Sequence, residues 1–591
     1  MATAGREQSS ATGGSGQPQT ARVSPQIERD RGLLAGARAK GRWATFRTFL
    51  SLSGPGWLQS GITVGGVTFS SSLYLGVLSG FTFLWLQPLG MMLGIVMLGA
   101  IAYITLSTGQ RPLRMINEHV SPVLGWSWLF ASMAANLVWS MPQFTLGTAA
   151  IRQNILPGLF GGGPNSVIQD PAAKVIAVCL FLGVCIAVTM FYSMGGRGVK
   201  IFEVIIKGMV SAIVLCFMGV IIKLSFEKGG MDWGKVLRGL IPEPRFIFRP
   251  AEGLTPYLGA VAENARRFWT DLIVGQQRDV MVSCVAATVG VNMTFLFPYS
   301  MLRRGWDKDF RGLAIFDLST GLFIPFVLAS GFVVMAAASQ FYTRPAPGFV
   351  PDQEGGVVTV EPAKNLAGPY KALLKKRLAF EIGSEPIAKL SPEELEQKIA
   401  VLPHADKRMA AVLVKRDNFN LADTLVPLTG PVVAQYLFGL GVMGLGLSAA
   451  TMLMVINGLC LCELLNKPPG GWTQRIGSLM VSVGALAAIF WKQPAPWLAI
   501  ATSAFCNLLL PIAYFTFLIM MNHRGILGDG MPRGGMRVLW NILMVLATAM
   551  ATFISMWSLW PRIGVWSIVL IAAFVGLVLV VHVMRSAKKP A

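Results

Sequence analysis

Acidic side chains are scarce in this chain, and long stretches carry no charge at all. Of 591 residues only 29 are Asp or Glu, against 50 Lys or Arg and 4 His. No HExxH pattern, no nucleophile beside a base and no paired carboxylates occur within an apolar stretch. Catalysis needs such positioned groups, so an enzyme is not expected, nor is a cofactor. The seven cysteines (Cys179, Cys185, Cys216, Cys284, Cys460, Cys462 and Cys506) all fall in apolar stretches, which excludes a disulfide framework. The charged start and short apolar run of a signal peptide are missing too.

What is present is hydrocarbon. Hydrophobic residues make up 53% of the chain. Twelve segments reach the ~20 residues that cross a bilayer: 57–79, 83–107, 124–150, 174–193, 202–224, 280–302, 313–340, 430–462, 473–491, 496–521, 538–558 and 563–585. This predicts an all-α polytopic membrane protein with about 12 transmembrane helices. The net charge of +21 does not call for nucleic acid, because the basic residues cluster in short, alternate connections. Arg111, Arg114, Arg197, Lys200, Arg303, Arg304, Lys467, Arg475, Arg524 and Arg537 are examples. The positive-inside rule places these loops and both termini in the cytoplasm, with the chain in the cytoplasmic (inner) membrane. The lipid bilayer is then partner enough for the positive charge.

Residues 1–45 form a basic tail too polar to bury a core, expected to be disordered. Two long connections, 225–279 and 342–428, lie on the extracytoplasmic side. Within the second, LSPEELEQKIAVL predicts a surface helix from Pro392, with Ser391 as N-cap and Glu394 closing a capping box.

Two spans are poor continuous helices. In the first, GITVGGVTFSSSLYLG (61–76) puts Gly65-Gly66 between Thr63 and Thr68 in a segment without charge from Trp57 to Leu86. Glycine weakens a helix interior by about 1 kcal/mol against alanine, so the pair invites unwinding. Span six, VSCVAATVGVNMTFLFPYSMLRRGW, carries Gly290, Asn292 and Thr294, and a kink or break is expected at Pro298. Interrupted segments in corresponding positions of two halves point to an inverted-repeat transporter, with its substrate site at the interruptions. Close packing by small residues is the alternative.

These segments also resemble the Nramp family of proton-coupled divalent-metal transporters. Gly54-Pro55-Gly56 is similar to the family's GPG opening, LGTAAIRQNIL from Leu146 to its third helix, and GGRGVKIFEVI around Glu203 to the start of its fifth. AATVG with FLFPYS resembles helix six, RGLAIFDL with Asp317 helix seven, and NLLLPIAYF with Pro511 helix ten. The resemblance implies a LeuT-type 5+5 inverted repeat with discontinuous helices 1 and 6. Its first repeat would span 53–224 and its second 280–521, with loop 342–428 inserted. Helices 11 and 12 would follow over 538–585, and a cytoplasmic tail over 586–591.

The family's metal ligands do not carry over. Its DPGN motif falls on Gly65-Gly66-Val67-Thr68, and its MPH motif on Gly290-Val291-Asn292 or on Asn292-Met293-Thr294. The acidic pair of helix three falls around Met141 and Phe144, and the glutamine of helix ten on Ser503. Spans one, three, six, eight and ten hold no Asp, Glu or His. The candidate substrate-binding residues are therefore Gly65, Gly66, Thr68, Gly290, Asn292, Thr294, Thr502 and Ser503, with the metal ligands unknown. The expected function is secondary-active transport of a small solute or metal ion. Alternatives are a neutral or zwitterionic solute, hydrated Mg²⁺, or a receptor that does not transport.

Overall fold

The computed structural model describes residues 25–161, 166–194, 196–226, 230–351, 360–417, 420–422, 424, 426, 430, 432–491 and 495–587. Ten of its helices are long and apolar enough to cross a membrane, and eleven if the bent pair Pro55–Thr63 and Gly66–Ser79 is one span. Pro122–Ala150, at 29 residues, is long enough as well but is diluted by Trp, Ser and amide side chains. The chain folds as an all-α bundle with Phe438–Leu464 and Pro122–Ala150 packed together at its centre. Glycine permits the close approach. A Cβ on Gly446 would sit 2.8 Å from the Gln143 carbonyl oxygen, and where Trp472–Met480 packs on Phe438–Leu464 one on Gly477 would sit 2.9 Å from the Gly458 Cα.

One face gathers the basic connections. Arg111 pairs with Glu463 at 2.8 Å and Arg304 with Glu203 at 2.6 Å. Glu203 and Lys207, four apart on one helix, form no ion pair; Lys207 donates to the Ser53 carbonyl at 3.0 Å. Asp317 takes neither Arg303 nor Arg311. Buried at the start of span seven, it accepts the backbone N–H of Gly54 (3.1 Å) and of Gly56 (2.6 Å). The first turn of Pro55–Thr63 has no intrahelical acceptor for those donors, and a carboxylate also suits the positive end of the helix dipole.

The tail expected to be disordered over 1–45 is helical from Pro25: Pro25–Ala39 and Arg42–Leu52 precede the first span. Leu34 is buried there, and Arg31 pairs with Asp307 and Asp309 in the connection after span six. Composition could not show this, because the partner lies far away in sequence. Residues 1–24 lie outside the described residues.

On the opposite face, span six begins well before its expected start at 280. Glu263–Ala286 projects beyond the apolar core, and its charged first half hid it from hydropathy. The insertion caps it with the helices Lys364–Ile382, Pro392–Val401 and His404–Leu413, and the Ser391/Glu394 capping box forms. Buried Asp406 accepts from Arg377 Nε at 3.2 Å and from the Trp269 indole. The chain then turns down, so that Lys415 Nζ lies 4.5 Å from the centre of the Tyr74 ring. The Tyr74 hydroxyl in turn donates to Gln276 Oε1 at 2.6 Å, closing this face over the centre of the bundle.

Two outcomes follow from these contacts. Asp317→Ala strands two buried N–H donors, and hydrogen bonds to charged groups are each worth about 1.5–3 kcal/mol. The apparent melting temperature in detergent should fall by several degrees; an unchanged value would remove Asp317 as the anchor. Burial, with Lys376 adding to it and Asp279 opposing, lowers the Lys415 pKa from 10.5 to about 7. The docked segment thus binds fewer protons than the released one, and its stability rises with pH between those two values. Amide exchange around 404–417, corrected for intrinsic rates, should slow from neutral pH to pH about 9. Lys415→Met should flatten that dependence.

Candidate functional site

The first span breaks where its glycines predict. Pro55–Thr63 ends, Val64 (φ −81°, ψ 66°) and Gly65 (φ −125°, ψ −173°) leave helical geometry, and Gly66–Ser79 starts at a bend of 53°. The freed groups are taken up locally. Gly66 N–H donates to Gln143 Oε1 at 2.6 Å, and the Thr68 hydroxyl donates to the Thr63 carbonyl. Neither glycine adopts a left-handed backbone; space requires them. A Cβ on Gly65 would meet the Ala449 Cβ at 2.7 Å, and one on Gly66 would meet both Gln143 Oε1 and Leu146 Cδ2 at 2.9 Å.

Span six breaks at residues 287–290, between Glu263–Ala286 and Val291–Arg303, and not at Pro298, which is carried inside the second helix. Extended Gly290 leads into Asn292, whose Nδ2 donates to Asn136 Oδ1 and whose Oδ1 accepts Met293 N–H, both at 3.0 Å. The two broken spans touch: Gln59 Nε2 donates to the Met293 carbonyl at 3.3 Å, and the Thr63 hydroxyl lies 3.7 Å from Met293 Sδ. Gln59 Oε1 and Asn136 Nδ2 are buried without a partner among the described residues.

Between the breaks lies a cavity of about 30 Å³. Its polar lining comes from Thr63, Thr68, Gln143, Asn292 and the Met293 thioether, and Trp139 forms part of its wall. No side chain that lines it ionises at neutral pH. Among the described residues no group of three His, Cys, Asp or Glu could hold a metal ion.

Of the expected site residues, Gly65, Thr68, Gly290 and Asn292 line this cavity, and Gly66 adjoins it through Gln143. Thr294 points elsewhere: its hydroxyl accepts the Trp128 indole N–H at 2.9 Å. Thr502 bonds the Leu498 carbonyl of its own helix at 2.8 Å. Ser503 meets Ser283 at 2.8 Å, and Ser283 meets Ser71 at 2.6 Å, so these hydroxyls join three spans away from the cavity lining. Trp139 escaped the sequence reading, and Met293 was left between two registers. Asn136, Trp139 and Gln143, at i, i+3 and i+7, share one helix face, and that spacing is the signal that would have found Trp139.

Comparison with known proteins agrees with this arrangement. The sequence profile of the family described as natural resistance-associated macrophage protein-like (Nramp) matches residues 56–371 and 408–584. No curated protein matches the sequence. Among solved structures, the manganese transporter of Eremococcus coleocola, in complex with an aromatic bis-isothiourea compound, is similar at 15% identity. The match covers 92% of this chain and 96% of that one, with a TM-score of 0.58. A substituted form of that transporter matches at 15% identity over 91% of this chain and 95% of that one, with a TM-score of 0.50. With the profile matching most of its length and the broken-span bundle shared, this chain belongs to the Nramp family and is a polytopic membrane transporter of the LeuT-type fold.

Proposed function

We propose that this protein is a secondary-active transporter of a divalent cation that keeps part of its water, with Mg²⁺ as its best-suited ion, and that the cation passes between the two broken spans. The cavity carries the reading. At about 30 Å³ it has room for a small ion with one or two waters. Its lining side chains offer hydroxyl and carboxamide oxygens beside one thioether and the N–H donors of Trp139, Gln143 and Asn292, and hard oxygen donors with retained water suit Mg²⁺, which dehydrates reluctantly. The Met293 thioether gives softer Mn²⁺ a contact that Mg²⁺ does not use.

No carboxylate offsets the ion's charge. The carbonyl end of Pro55–Thr63, which faces the break, supplies partial negative charge instead. With no carboxylate or imidazole lining the cavity, there is no local proton relay either. We take residues 53–224 and 280–521 as the two inverted repeats, and the basic face and both termini as cytoplasmic. The second reading, a neutral small solute, rests on that same absence of ionising groups.

Uptake into liposomes by the purified protein tests the proposal, with Mg²⁺, Mn²⁺ and amino acids run in parallel. Saturable Mg²⁺ entry, competed by Mn²⁺ and without proton movement, is expected. Amino-acid uptake without metal uptake would establish the second reading, and no uptake of anything by folded protein would favour a receptor. Gly66→Leu should abolish entry, because its Cβ already meets Gln143 and Leu146; uptake at the wild-type level would displace the site. Met293→Leu should weaken Mn²⁺ competition more than it slows Mg²⁺ uptake.

A further inference from the structure

A second cavity, of about 720 Å³, opens between Glu263–Ala286, Ala495–Met521 and Gly534–Ile563, on the face that carries the long loops. Arg278, Asp279 and Arg562 line it together with Trp557 and Trp560. Arg278 is held in place: its Nε donates to the Ile247 carbonyl at 3.0 Å, and its guanidinium carbon lies 5.1 Å from the Phe248 ring and 5.2 Å from the Trp557 ring. Its two terminal amino groups meet no protein acceptor among the described residues. Arg562 bonds the Ser558 carbonyl and, at 3.2 Å, the Ser558 hydroxyl through one amino group alone. The other faces of both guanidinium groups remain available as donors.

An apolar cavity of about 180 Å³ adjoins the first and shares Arg278, Val282, Phe553 and Trp557 with it. Its further walls include Trp85, Leu89, Leu93, Val285 and Met550. A cationic chamber thus opens into a hydrocarbon-lined slot, with Trp557 at the junction.

We propose that these joined cavities bind one anionic glycerophospholipid, with its phosphate between Arg278 and Arg562 and an acyl chain in the apolar slot. Charge selects this occupant. Two guanidinium groups and the Asp279 carboxylate leave the chamber with one net positive charge, which the single negative charge of a phosphatidylglycerol neutralises. A free phosphate would satisfy the arginines but leave the slot unfilled. Position gives such a lipid leverage, because Val282 lines both cavities and the next residue, Ser283, bridges Ser71 and Ser503.

The full-length protein, equilibrated with equal amounts of phosphatidylglycerol, phosphatidylethanolamine and phosphatidylcholine, would be examined by native mass spectrometry. One phosphatidylglycerol should be retained at about fivefold preference over either other lipid, and Arg278→Met with Arg562→Met should abolish the preference. Arg562→Gln, at an exposed helix end where folding is not at stake, should reduce it, and Asp279→Asn should preserve or raise it. Equal retention of the three lipids, or an undiminished preference in both arginine variants, would overturn the proposal. Displacement of the lipid by millimolar inorganic phosphate would also overturn it, since the slot would then add nothing.

Discussion

A backbone N–H that has lost its helix must find an acceptor inside the bundle, and at Gly66 that acceptor is the Gln143 carboxamide at 2.6 Å. In a membrane no bulk water stands in, and an unpaired group costs several kcal/mol. Much of the centre is arranged around this bond. Pro122–Ala150 must bring Gln143 close, which in turn needs Phe438–Leu464 near enough for Gly446 to touch the Gln143 carbonyl. Gly65 and Gly66 lack side chains for the same reason: the bond and the packing around it leave no volume for a Cβ.

The break would be free to rotate if its half-helices were not held at their far ends. Asp317 grips the start of Pro55–Thr63 through two N–H groups, and the Ser71–Ser283–Ser503 hydroxyls tie Gly66–Ser79 to spans six and ten. The insertion adds the Tyr74–Gln276 bond with Lys415 above it. These ties act beside the apolar packing of Gly66–Ser79, whose residues are all buried. A bundle whose packed helices stay intact while such ties exchange can alternate its access without unfolding.

The span pattern and the first break were legible in the sequence because each is local: hydropathy marks a crossing, and two adjacent glycines mark a weak helix. Pro298 misled, since a proline inside a packed membrane helix can be accommodated, whereas the break at 287–290 follows from an extended Gly290 and the side chain of Asn292. The extension of span six from Glu263 stayed hidden because its residues are charged. Its burial depends on an insertion that arrives about a hundred residues later. Asp317 was visible as an intramembrane acid, but not its partners, which lie more than 260 residues away. What sequence periodicity cannot carry is the pairing of one helix end with another element.

A cavity without carboxylates is no argument against a cation; it sets how tightly the cation is held. A carboxylate that binds a divalent ion strongly must also let it go, and the same charge attracts protons. Oxygen dipoles at a helix end bind more weakly and do not titrate. An ion that keeps part of its hydration loses less solvation on entering such a site than a bare ion would, so weaker ligands suffice. A cavity lined by Gly65, Thr68 and Asn292 and by no ionisable side chain is coherent with the proposed transport of a partly hydrated cation: the less water the ion sheds, the less charge the protein has to supply.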